Sequence, residues 1–147
     1  MRQLRAKYNK RFEHGLFGAV SLRLFLEYPN SLGLFYSAIT DFLGFAVNEG
    51  EYKMMGLAAF GKPTFYESLK KTIKFQDNQL IVDTKYYDYV RRTDRSYSDD
   101  LVKLLGISPR QPDIPLEVGE NNFQIYADIA RVSDRFRWNF IDGYCVM

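Results

Sequence analysis

Ser31 to Pro63 reads SLGLFYSAITDFLGFAVNEGEYKMMGLAAFGKP, and its spacing decides how the chain around it folds. Leu32, Phe35, Tyr36, Ile39 and Leu43 fall at i, i+3, i+4, i+7 and i+11, which is one continuous apolar stripe on a helix. Asn30 or Ser31 can cap its start by accepting a hydrogen bond from an orphan amide of the first turn. Gly44 lies just past the last apolar residue, the usual left-handed stop. After the short apolar run Phe45 to Val47, Asn48-Glu49-Gly50 turns the chain. A second helix is expected from Glu51 to about Ala59, burying Met54, Met55 and Leu57, until Gly61 and Pro63 end it.

Upstream, Leu22, Leu24 and Leu26 alternate with polar residues and suggest a half-buried strand, broken by Tyr28-Pro29-Asn30. Downstream, a short helix is expected around Phe65 to Lys70. Thr72 to Phe75 and Leu80 to Val82 flank Gln76-Asp77-Asn78-Gln79 as a β-hairpin. Ser98 caps another helix, Asp99 and Asp100 complement its dipole, Leu101, Leu104 and Leu105 form its stripe, and Gly106 ends it. Pro109, Pro112 and Pro115 hold an extended loop. A last helix should start near Asn122 and bury Phe123, Tyr126, Ala127 and Ala130. Val132 to Met147 has no clear helical or strand period. Mixed helices and short strands place the chain in the α/β or α+β class.

The chain has 147 residues, 46% of them hydrophobic, with 12 Phe, 11 Tyr and one Trp, so a sizeable core is available and disorder is not expected. A net charge of +2, from 20 basic and 18 acidic residues, gives no argument for a nucleic-acid or membrane partner. No apolar run approaches the roughly 18 residues of a membrane span. The basic amino terminus lacks the apolar core of a secretory signal. The single cysteine, Cys145, fits a reducing compartment, and a cytoplasmic location is expected. The single histidine, His14, leaves no His cluster for a metal.

Cys145 and His14 lie at opposite ends of the chain with no motif to support a catalytic pair. Arg91, Arg92 and Arg95 among Tyr86, Tyr87, Tyr89 and Tyr97 could bind a single strand by stacking and charge, but Asp88, Asp94, Asp99 and Asp100 dilute the patch. Gly50-Glu51-Tyr52-Lys53 is the more informative set. Glycine at a helix start permits close approach of a ligand to backbone, and first-turn amides favour anions. A carboxylate can accept from ribose hydroxyls and a lysine can neutralise phosphate. Taken alone, a turn, capping and a surface ion pair explain the same residues.

Their surroundings add to this. Pro29-Asn30-Ser31-Leu32-Gly33-Leu34-Phe35-Tyr36-Ser37-Ala38, then Leu43-Gly44-Phe45, then Gly50-Glu51-Tyr52-Lys53-Met54-Met55-Gly56-Leu57-Ala58 resembles the O-carbamoyltransferase family of the nodulation-factor, cephamycin and tobramycin type. That family reads roughly P-H-S-L-G-L-x-Y-S-A, L-G-F and G-E-Y-K-x-M-G-L-A-P-Y-G in the same order. Tyr86 to Tyr89, Gly106 with Ser108 to Pro112, and Tyr126 to Ala130 are similar to further elements of it, so the resemblance covers about Leu22 to Ala130. Asn30 stands where the family prefers histidine, Ala59 where it prefers proline and Phe60 where it prefers tyrosine. Asn30 keeps the capping ability without the proton chemistry.

The resemblance implies an α/β fold, a partial lobe of an actin-like or sugar-kinase-type ATPase domain (ribonuclease H-like) with a hairpin and helical insertion. It implies residues 1–130 as a partial amino-terminal carbamoyltransferase domain and 131–147 as an unmatched tail from truncation or a frameshift. The implied chemistry is transfer of a carbamoyl group from carbamoyl phosphate to the hydroxyl of a small molecule, through a carbamoyl-adenylate made with ATP. Gly50, Glu51 and Lys53 carry over as part of a nucleotide-facing wall. The family's iron-type metal site lies upstream and its second nucleotide-binding lobe downstream, so the remainder of the enzyme is an expected partner and the chain alone is expected to be inactive. An apolar face left exposed would favour aggregation. A small stand-alone nucleotide- or protein-binding module is the alternative.

Overall fold

The computed structural model describes residues 28–76, 79–112, 115–116 and 121–145. Helix α1, Leu32–Phe42, begins where the Ser31 hydroxyl accepts the Leu34 amide (3.3 Å), so serine rather than Asn30 is its cap. Gly44 ends it at φ +69°, as its position in the sequence implies. Helix α2 spans Glu51–Ala58 and α3 Tyr66–Leu69. Strands β1, Ile73–Gln76, and β2, Gln79–Val82, pair antiparallel with Ile73 opposite Val82 and Gln76 opposite Gln79. Helix α4, Asp99–Leu105, starts at Ser98, whose hydroxyl accepts from the Leu101 amide and donates to the Lys85 carbonyl, and stops at Gly106 (φ +69°). Among the described residues the sheet is this one hairpin, with an isolated bridge between Tyr87 and Tyr97. Helices with a small sheet are compatible with the α/β expectation. The proposed strand through Leu22 to Leu26 lies outside the described residues, as do His14 and Asp77-Asn78.

Helix α5 corrects the reading of the tail. It runs unbroken from Asn121 to Cys145, through the region where no period is evident in the sequence. The buried positions Phe123, Ala127, Ala130, Ser133 and Phe136 do recur every three or four residues, but the polar Ser133 interrupts the apolar pattern. Its hydroxyl donates to the Ile129 carbonyl (3.0 Å), which lets a serine fill a core position without an unmet hydrogen bond.

The core forms where α1 and α2 pack against α5. Phe35 lies edge-on to both Tyr87 (5.8 Å between centroids) and Phe136 (6.1 Å), and Tyr66 stacks on Phe136 (5.4 Å). These aromatic pairs tie α1, α3 and α5 together with geometry worth about 0.5–1.5 kcal/mol each beyond area burial. Tyr87 is fully buried, and its hydroxyl meets Thr72 Oγ1 at 2.6 Å. The Thr72 proton is committed to the Leu69 carbonyl, so Tyr87 donates. One helix expectation fails. Met54 is buried but Met55 is 41% exposed, because adjacent helical residues point about 100° apart and α5 covers only the Met54, Leu57 and Ala58 side.

Candidate functional site

The sequence-derived residues sit together on the entry to α2. Asn48 adopts φ +70°, and its amide donates to Glu51 Oε1 at 2.8 Å. The carboxylate that could have faced a ribose therefore fixes the turn before its own helix. Gly50 is buried there. A Cβ at this position would come within 2.6 Å of Phe45 Cβ and 2.7 Å of the Ala46 carbonyl oxygen, so the backbone passes where no side chain fits. Its carbonyl accepts from the Lys53 and Met54 amides and opens the helix. Lys53 is exposed, with its ammonium 5.9 Å from the centre of the Tyr52 ring. Glu51 and Lys53 are two residues apart on a helix, so their side chains diverge. The turn thus brings the three backbones together; Lys53 extends into solvent, while the half-buried Glu51 ties one carboxylate oxygen to the Asn48 amide.

Several side chains act as clamps that sequence reasoning did not identify. Asp128 on α5 accepts from the Lys62 amide (2.8 Å), the Thr64 hydroxyl (2.6 Å) and the Gln124 side chain (2.6 Å). Burial opposes its ionisation, yet these three donors outweigh burial and hold the carboxyl below its ordinary range. Arg110 closes the end of α1: its amide donates to the Phe42 carbonyl, Nη1 donates to the Leu43 and Gly44 carbonyls, and the guanidinium lies over the Phe45 ring (5.1 Å). Asp41 Oδ2 accepts the Ser96 amide (2.7 Å), and Asn30 Oδ1 accepts the Val82 amide (2.9 Å), tying the hairpin to the start of α1. Apart from Gln124, one helical turn from Asp128, these partners lie tens of residues apart, so no local pattern could reveal them.

A cleft of about 370 Å³ opens between Asp41–Val47 on one side and Tyr97 and Pro109–Pro112 on the other. Its charged walls, Asp41 and Arg110, are engaged with backbone as just described. In the tyrosine- and arginine-rich stretch, Arg92 pairs with Asp94 (2.6 Å), and Arg95 with Asp99 (2.9 Å) and Asp88 (3.4 Å). Burial raises the Tyr87 phenol far above its ordinary value and pushes Tyr89 up to about 12, so both stay protonated at neutral pH. Among the described residues, no group of three or more His, Cys, Asp or Glu could hold a metal ion, and no helix is long and apolar enough to cross a membrane.

Residues 10–105 match the family described as carbamoyltransferase N-terminus. The chain belongs to that family. The carbamoyltransferase match contains α1 to α4 and the whole Gly50–Lys53 turn. It begins upstream of Leu22 and stops short of Gly106, so Arg110 and α5 lie beyond it although both have counterparts in the resemblance. The chain is also 33% identical over 115 residues to an uncharacterized protein of Synechocystis sp. (strain PCC 6803). That alignment covers 75% of this chain and 18% of the relative, so the aligned part of the chain spans about a fifth of the relative's length.

Proposed function

We propose that this chain is part of an ATP-dependent O-carbamoyltransferase of the nodulation-factor, cephamycin and tobramycin type. The family match over residues 10–105 carries the reading, and the in-order agreement from Pro29 to Ala58 supports it. Such an enzyme moves a carbamoyl group from carbamoyl phosphate to a small-molecule hydroxyl through a carbamoyl-adenylate formed with ATP, in the cytoplasm. On this reading the described helices and hairpin belong to one lobe of an actin-like, sugar-kinase-type ATPase domain, and the remainder of the polypeptide completes the cleft.

The residues of this chain then divide the work at the entry to α2. Gly50 lets the backbone pass under Phe45 and begin the helix, whose first-turn amides and dipole favour an anion. Glu51 holds the Asn48 turn in shape. Lys53 supplies the mobile positive charge for a nucleotide phosphate. An iron-type metal, implied by the family resemblance, would be held by residues other than those described, and no step is assigned to it in this segment. Engagement of Arg92 and Arg95 by carboxylates favours leaving nucleic acid out of the reading.

The full-length Synechocystis relative tests the chemistry. Incubated with ATP and carbamoyl phosphate, it should release pyrophosphate and inorganic phosphate as the carbamoyl-adenylate forms, with AMP following when an acceptor hydroxyl or water takes the carbamoyl group. Omitting carbamoyl phosphate should abolish pyrophosphate release. ADP as the nucleotide product, or ATP left intact with both substrates present, would contradict the reading.

A further inference from the structure

Helix α2 is apolar on two sides. Met54, Leu57 and Ala58 are buried towards α5, while Tyr52 (67% exposed), Met55, Gly56, Ala59 and, just past the helix end, Phe60 (59% exposed, one edge of its ring against Phe123 of α5 at 5.7 Å) face outward. Their spacing of three, one, three and one residues makes a single stripe on the outer face. It contains no acidic residue, and Lys53 lies only at its edge. A Cβ built on Gly56 meets nothing within 4 Å, so neither the buried core nor a turn requires glycine there. A bare backbone in the middle of an exposed apolar stripe is a groove into which the ridge of another helix or strand can sit at close range. The aligned segment makes up only 18% of the relative's length, so in such a protein most of the polypeptide lies outside this unit and is available to cover the face.

We propose that the outer face of α2 docks onto the remainder of the full-length family polypeptide, with an apolar, uncharged ridge of that remainder seated over Gly56 between Tyr52, Met55 and Phe60. The inference rests on family membership and on this surface. It stands whether or not Lys53 contacts a nucleotide.

Opposite signs in two proteins test it. In this chain Gly56→Gln enters open space and replaces a poor helix former with a better one, so Tm should rise. Glutamine at the aligned position of the full-length Synechocystis relative should fill the groove and lower Tm by roughly 5 °C or more. Glutamate at Met55 should leave this chain's Tm unchanged and, at the aligned position, lower that of the relative. A rise in Tm in both proteins with Gly56→Gln, together with no effect of Met55→Glu in either, would overturn the proposal. A concentration-dependent dimer of the full-length relative that glutamate at the position aligned with Met55 dissociates in sedimentation would overturn it too, by making a second copy the occupant.

Discussion

Gly61→Ala is expected to lower the stability of the chain by about 4 kcal/mol, which for a protein of this size is a fall in Tm of roughly 10–15 °C. Gly61 rides directly on α5. A Cβ there would lie 2.0 Å from the Ala127 carbonyl oxygen, 2.5 Å from its carbon and 2.7 Å from Arg131 Cβ. Two of the three obstacles are helix backbone and cannot rotate aside, so the Gly61–Thr64 loop must lift. Lifting it also stretches the Lys62 and Thr64 hydrogen bonds to Asp128, which a loop in place keeps at 2.8 and 2.6 Å. Thermal melts of the two proteins check this. A change in Tm of less than about 2 °C would mean that the Gly61 loop and α5 do not approach as closely as described.

Asp128→Ala should be the next most damaging change, at about 3 kcal/mol, because it leaves three donors without their charged acceptor. Its pH dependence distinguishes it from ordinary loss of packing. The folded-state pKa of Asp128 is depressed, so its contribution is fully present above the unfolded carboxyl value near ~3.9 and is lost as pH falls through the lower folded value. Asp128→Asn keeps the shape and an oxygen for the Lys62 amide but cannot titrate. Denaturation from pH 7 down to about 3 should therefore show the advantage of the parent chain over Asp128→Asn shrinking below about pH 4. A constant gap between the two across that range would show that the carboxylate is not held charged by these donors.

The legible parts of this fold were those built from neighbours in sequence. Ser31, the Leu32-to-Leu43 stripe and Gly44 specify α1 within a dozen positions, and Ser98 with Gly106 does the same for α4. The hairpin was legible because its turn separates two short β-prone runs. Helix α5 beyond Ala130 was hidden because Ser133 occupies a core position and satisfies itself on the preceding turn. Met55 was misplaced because an apolar pair reads the same whichever member faces inward, and only the position of α5 decides.

The helix entry that carries the candidate residues was legible in the sequence, and its side-chain geometry was not. Gly50, Glu51 and Lys53 do form one helix entry, yet a sequence motif cannot say that Glu51 bonds back to Asn48 while Lys53 points away. The clamps Asn30–Val82, Asp41–Ser96 and Asp128–Lys62 join residues 52 to 66 positions apart, where identity alone carries no pairing signal. Asn30 illustrates the difference. Where the family prefers histidine, this chain uses the side-chain oxygen to fasten the hairpin.

The most direct measurement is the ATP dependence of carbamoyl-phosphate-driven pyrophosphate release by the full-length Synechocystis relative, with alanine at the position aligned with Lys53 and, separately, glutamine at that aligned with Glu51. Removing one charged contact to a phosphate should raise the KM for ATP about tenfold or more with little change in kcat, while the glutamine, which preserves the turn bond, should leave both nearly unchanged. An ATP KM unaltered by alanine at the position aligned with Lys53 would contradict a nucleotide facing the entry to α2.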